Sequence, residues 1–226
     1  MQRRPIFMAL LVLLSAAFCQ VANAEIKEPK MMTRAQWKAE PANTKNMLRQ
    51  PRVYKGIVIH HTEIAQTLDG WKTKSTAEKM RDIQAQHQSH PHQYRPEMSG
   101  KFWGDFAYHY FIDVNGDIAM GRDIRYQGDS GTKYDMTGLL LVVLQGDFDK
   151  DQPTEEQLAS LDGLVAWLAA KHKVAPERIT AHKDHTETTC PGQNLYSYMT
   201  ELKKKTAAAL KKAGVSQHKM SKSKTG

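Results

Sequence analysis

The chain has 226 residues, with 32 lysines and arginines against 24 aspartates and glutamates, which gives a formal net charge of +8. This length allows one domain with a full hydrophobic core and hardly room for a second. Eight of the lysines follow Leu202, where no acidic residue occurs, so the preceding chain carries 24 residues of each sign. This balance argues against a nucleic-acid-binding domain with a basic face, and we expect no nucleic-acid partner.

The N-terminus has the pattern of a secretory signal peptide. Arg3 and Arg4 precede an apolar run over residues 6–18. The small residues Ala22 and Ala24 flank Asn23, as a signal peptidase site requires. The run is short for a membrane span. We therefore predict cleavage after Ala24 and an exported protein, periplasmic or secreted, with residues 25–213 as one domain; the alternative is an uncleaved anchor.

Export makes Cys190 unusual. Removing residues 1–24 removes Cys19, so Cys190 has no partner for a disulfide within the chain. Metal ligation explains an unpaired exported thiol, because a metal holds the sulfur as thiolate.

The C-terminal residues 214–226 are basic and are predicted to be a disordered tail. Outside the cytoplasmic membrane such a tail is expected to contact anionic wall polymers or a membrane surface. A solvated end that only aids solubility is the alternative.

Strand and helix signals alternate through the rest of the chain. Capping-box spacings at Ser75/Glu78 and Thr154/Gln157 indicate two helix starts, and Asn115-Gly116 indicates a hairpin turn. The predicted strands are 53–61, 107–113, 117–122, 139–144 and 174–180, and the predicted helices are 75–87, one following Thr154, and one from about Asn194 to a cap at Gly214. The expected fold is α/β, a single domain with a central mixed β-sheet flanked by helices.

Residues 87–105 are rich in proline, glycine and histidine and have no hydrophobic periodicity. Long connections of this kind are often functional. We therefore predict that they form a loop near a site.

Histidines offer several partners for Cys190. His60 and His61 end the first predicted strand and point to opposite faces, so at most one of them faces a shared site. His182 lies eight residues before Cys190, and His185 competes with it. Further candidates in or near the predicted loop are His87, His90, His92 and His109. Two imidazoles and a thiolate with one open position match a catalytic zinc site, whereas a structural site needs four protein ligands.

Four segments in order sharpen this choice: GIVIHHTE, DFAYHYFIDVNGDIAMGRD, VVLQGDF and ITAHKDHTETTCPG. Together they resemble the zinc-dependent N-acetylmuramoyl-L-alanine amidases, which share a fold with peptidoglycan-recognition proteins and with a phage amidase called a lysozyme. The resemblance implies that one Zn²⁺ ion is bound by His60, His182 and Cys190. It also implies catalytic positions at Tyr108 and at Thr188, where the phage enzyme has lysine.

The resemblance implies hydrolysis of the amide between N-acetylmuramic acid and L-alanine in peptidoglycan or muropeptides. We expect the protein to be a monomer. Tyr108 is expected to stabilise the developing oxyanion or orient the nucleophile. The donor of a proton to the leaving amine stays open between His61, His185 and a water acting through Tyr108.

A non-catalytic peptidoglycan-binding module is the alternative function, and Cys190 argues against it because such relatives typically lack the cysteine. A glycosidase needs two placed carboxylates, which no segment suggests. The chain departs from the family at Gln127–Thr132, where the family carries Gly-x-His, and over His90–Lys101, which is longer.

Overall fold

A computed structural model of the protein describes residues 25–215. The predicted signal peptide and the last eleven residues of the predicted tail lie outside this range. Five strands form one sheet in the order β3-β2-β4-β1-β5. Their bounds are β1 Gly56–His61, β2 Tyr110–Ile112, β3 Ile118–Met120, β4 Leu139–Leu144 and β5 Ile179–Ala181.

The sheet is mixed, as predicted. Strand β1 pairs in parallel with both β4 and β5, and β2 pairs in parallel with β4. Strands β2 and β3 form the antiparallel hairpin predicted at Asn115-Gly116. Gly116 has a φ of +82°, and a Cβ there would approach the Glu156 carbonyl oxygen to 2.8 Å, so the turn requires glycine.

Three α-helices lie within the described range: α1 Thr76–Gln88, α2 Glu155–His172 and α3 Gln193–Lys212. Both predicted capping boxes are present, at Ser75 and at Thr154. Helix α3 is followed by Gly214 with a φ of +67°, the left-handed conformation expected after a helix end. None of the helices in residues 25–215 is both long and apolar enough to cross a membrane.

Helices cover both faces of the sheet. Ile57 and Ile59 pack with the apolar sides of α2 and α3. On the opposite face, Phe111 and Val143 pack with Trp37 and with Met80 of α1. This alternation fixes which side chain of β1 reaches which face, because successive residues of a strand point in opposite directions.

Four predicted strands were too long. Strand β1 begins at Gly56, and Val53 before it is 61% exposed. Strand β5 begins at Ile179 because Pro176 starts a 3₁₀ turn over Pro176–Arg178. Strand β2 begins at Tyr110 because the His109 imidazole interrupts the ladder: its Nδ1 accepts the Leu141 N–H at 2.8 Å, which replaces a backbone carbonyl. Strand β3 also ends early, at Met120 rather than 122.

A buried ion pair links α1 to the hairpin. The Lys79 Nζ lies 2.7 Å from Asp113 Oδ1, and its side chain is 2% exposed. The other Asp113 oxygen accepts the Thr76 hydroxyl at 2.7 Å.

We expect Asp113→Ala to lower the free energy of unfolding by about 3–5 kcal/mol, because it leaves a buried ammonium without its carboxylate. The matched control is Asp82→Ala on the exposed side of α1, where the pair with Lys74 is solvated and contributes about 0–1 kcal/mol. Urea unfolding measures both. Equal, small losses for the two variants would contradict a structural role for the buried pair.

Candidate metal centre

Parallel pairing of β1 and β5 brings two of the three predicted ligands together. Their register matches Ile59 with Ala181, so His60 and His182 are the next residues at the same edge of the sheet. Cys190 reaches this edge from the loop that precedes α3. The carboxyl ends of parallel strands are the usual place for a site in such a sheet.

The three side chains form one buried cluster. One ligand atom from each of His60, His182 and Cys190 lies within 4.8 Å of the other two. The Cys190 Sγ is 3.6 Å from His60 Nδ1, and the two imidazole centroids are 4.6 Å apart. All three residues are buried.

Burial sets the protonation of the cluster. It lowers the pKa of His60 well below its ordinary value, with His182 adding to the effect, and lowers that of His182 to about 4. Both rings are therefore neutral at neutral pH and keep a lone pair for a metal. Burial raises the pKa of the Cys190 thiol to about 12, although a hydrogen bond from the His61 backbone N–H favours the thiolate.

This donor set fits zinc. Two neutral imidazoles and one cysteine sulfur are ligands that Zn²⁺ prefers, and three protein ligands leave the open position of a catalytic site. Zinc would be held by His60, His182 and Cys190, and Cys190 would lose its proton on binding.

Most of the competing histidines have structural contacts instead. His61 points away from His60, and its Nδ1 accepts the Phe148 N–H at 3.3 Å. The His87 Nδ1 accepts the Ala107 N–H at 3.0 Å. The other members of this group bond backbone carbonyl oxygens through a ring nitrogen, namely His90 to Pro91, His92 to Asn46 and His109 to Tyr126.

His185 is the exception, because it lies beside the cluster. Its Nε2 is 2.8 Å from the Thr180 hydroxyl, and its ring stacks on Tyr134 at 5.3 Å. His185 is exposed. It adjoins the cluster through Tyr134, whose hydroxyl lies 3.4 Å from His60 Nε2.

Tyr108 lies just before β2, with its ring centroid 5.0 Å from that of His60. The strand predicted to carry it does not include it, because of the His109 interruption. Burial raises the pKa of its phenol, so the group is protonated over the whole physiological range and acts as a hydrogen-bond donor.

Thr188 is half-buried in the loop that carries Cys190. Its hydroxyl oxygen accepts the Cys190 N–H at 3.3 Å, which fixes the turn before the cysteine. The hydroxyl hydrogen is free to be donated to another acceptor.

The sequence reasoning missed two residues of the site. Thr132 and Tyr134 contact His182 and His60 through their hydroxyl groups. The Ser130 hydroxyl, in the segment where the chain departs from the family, lies 3.3 Å from His182 Nε2. The only indication of these residues in the sequence was the number of hydroxyl side chains in a loop that has no hydrophobic periodicity.

The long segment predicted as a loop near the site does lie there. Its Tyr94, Arg95 and Trp103 line a small cavity together with Ser130 and Thr132. Within the segment, the backbone pairs His92 with Lys101 and His90 with Trp103, so it folds as an irregular hairpin.

Comparisons with known proteins identify the family of this chain. The family model described as N-acetylmuramoyl-L-alanine amidase (Amidase_2) matches residues 49–193. Peptidoglycan-recognition protein LB of Drosophila melanogaster is 24% identical over 169 residues, covering 74% of this chain and 66% of the relative.

Two solved structures share the fold. The N-acetylmuramoyl-L-alanine amidase LysC of Clostridium intestinale superposes with a TM-score of 0.55 at 24% identity, over 79% of this chain and 97% of LysC. The second structure is peptidoglycan recognition protein-LE in complex with tracheal cytotoxin, a monomeric diaminopimelic acid-type peptidoglycan. It superposes with a TM-score of 0.60 at 23% identity, over 76% of this chain and 92% of that protein. The family model matches more than half of this chain, and the chain therefore belongs to the N-acetylmuramoyl-L-alanine amidase family.

Proposed function

We propose that the protein is a zinc-dependent N-acetylmuramoyl-L-alanine amidase that hydrolyses the amide between N-acetylmuramic acid and L-alanine in peptidoglycan or its fragments. The observation that supports this most is the buried cluster of His60, His182 and Cys190 at the carboxyl edge of parallel strands. Peptidoglycan lies outside the cytoplasmic membrane, which agrees with the export predicted from residues 1–24.

The residues of the site have different roles in the proposed reaction. His60, His182 and Cys190 would hold the metal, which when bound would supply a Lewis acid for the carbonyl and lower the pKa of a water. Tyr108 donates its phenol hydrogen toward the carbonyl oxygen, where negative charge develops during attack.

The leaving amine needs a proton. His61 is unsuited, because its ring bonds the Phe148 amide on the other face of the strand. Of the candidates named for this role, His185 and Tyr108 remain, and His185 is the one that is exposed to solvent. Thr188 donates at most a neutral hydrogen bond.

Digestion of purified peptidoglycan tests the proposal. We expect the zinc-loaded protein to release stem peptides that begin with L-alanine and to leave glycan strands intact, as read by mass spectrometry. A chelator should stop the release and added zinc should restore it, because the metal is required for the chemistry.

Two outcomes would contradict the proposal. Cleavage within the glycan would indicate a different reaction. Binding to peptidoglycan without release of peptide, with zinc present, would indicate a non-catalytic binding module instead; recognition of peptidoglycan is the property in the names of several relatives.

A further inference from the structure

One short loop directs three hydroxyl groups at the two histidines of the cluster. The Thr132 Oγ1 lies 2.6 Å from His182 Nε2, and the Ser130 Oγ lies 3.3 Å from the same atom. The Tyr134 hydroxyl lies 3.4 Å from His60 Nε2. For His60, the contacted nitrogen is the one that Cys190 does not face, since Cys190 Sγ lies 3.6 Å from His60 Nδ1.

The loop is anchored by buried charges. Asp129 Oδ2 lies 2.6 Å from Arg122 Nη2, and Asp129 Oδ1 lies 3.4 Å from Arg95 Nε. The preceding Gly128 packs so closely that a Cβ there would lie 2.1 Å from the Leu141 side chain. The hydroxyl groups are thus presented from a fixed backbone.

A neutral imidazole carries one hydrogen, on either Nδ1 or Nε2, and only the other nitrogen has a lone pair for a metal. A hydroxyl oxygen that accepts a hydrogen bond from Nε2–H keeps the hydrogen there and leaves Nδ1 free. Among metal-binding histidines, the partner of the second ring nitrogen fixes both the tautomer and the ring orientation.

We propose that Thr132, Ser130 and Tyr134 are positioning residues that hold His182 and His60 in the Nε2–H tautomer, with Nδ1 ready for zinc. The inference rests on the proposed zinc site and adds its second layer of contacts. Thr132 has the largest role because its contact is the shortest, and Ser130 supports it through a 2.9 Å hydrogen bond between the two hydroxyl groups. The segment is the one in which this chain departs from the family's Gly-x-His.

Zinc affinity provides a test that does not depend on activity. Competition with a chromophoric chelator should show that Thr132→Val binds zinc about 10–100-fold more weakly than the wild type. Thr132→Ser restores a hydroxyl and should recover most of this loss. Thr137→Val is the matched control, because Thr137 lies in the same loop and bonds Gln127 rather than a histidine.

A second variant tests the other ring. Tyr134→Phe removes one oxygen without changing the ring, and should weaken zinc binding less than Thr132→Val, because its contact is longer. The absorption spectrum of the Co²⁺-loaded protein should shift in both variants and stay unchanged in Thr137→Val.

The outcomes separate the two proposals. A wild-type protein that does not bind zinc would overturn the proposed function. A wild type that binds zinc tightly, with Thr132→Val and Tyr134→Phe at the same affinity and with the same Co²⁺ spectrum, would overturn the positioning role alone. Thermal melts of the metal-free variants show whether each one folds.

Discussion

Replacing Cys190 with alanine is expected to abolish both zinc binding and the release of peptide from peptidoglycan. The substitution removes the one sulfur ligand of the cluster and leaves two imidazoles, which hold Zn²⁺ far more weakly than three ligands do. Without the metal no group in the cluster polarises a carbonyl or activates water, since both rings are neutral and the nearby phenols are protonated. Activity should fall to the level of a protein-free control.

Histidines provide a matched comparison for this result. His182→Ala should reproduce the loss seen in Cys190→Ala. His172→Ala should not, because His172 lies at the end of α2 against Tyr54, away from the cluster. Isothermal titration with zinc and mass spectrometry of digested peptidoglycan measure the two effects. Full activity in Cys190→Ala would exclude the thiol from the reaction.

The parts of the fold that follow from local rules were predictable. Capping residues marked the starts of α1 and α2, because a side-chain oxygen must accept the free N–H groups of the first turn. The alternation of a strand required His60 and His61 to face opposite sides, and they do. Which of the two belonged to the site did not follow from alternation; the family resemblance pointed to His60.

The contacts between side chains and distant backbone were not predictable. His109 shortens β2 by accepting the N–H of Leu141, a residue 32 positions later that only the folded sheet brings near. Thr132 and Tyr134 reach the histidines from a loop whose path depends on the buried Asp129 ion pairs. The sequence of this loop has no hydrophobic periodicity, so it does not indicate which way each side chain points. Its hydroxyl groups could therefore not be assigned to a partner.

The second large effect concerns Tyr108. Its ring lies between His60, with centroids 5.0 Å apart, and His87, at 5.8 Å. The site therefore presents a protonated phenol, held by packing, next to the proposed metal ligands. Such a group contributes little to metal affinity, because it is not one of the three donors that meet within 4.8 Å. It contributes to the reaction if it donates to the oxygen on which negative charge develops.

Tyr108→Phe is accordingly expected to leave zinc affinity unchanged and to reduce peptide release by about 10²–10³-fold, the range for loss of one such donor. The loss should appear in kcat more than in KM, because the hydrogen bond strengthens only as the oxygen gains charge. Tyr110→Phe is the matched control: its buried phenol also has a raised pKa, but Tyr110 packs on the opposite face of the sheet. Equal activity in Tyr108→Phe and Tyr110→Phe would show that another group donates to the oxyanion. Weaker zinc binding by Tyr108→Phe would show that the phenol stabilises the metal site instead.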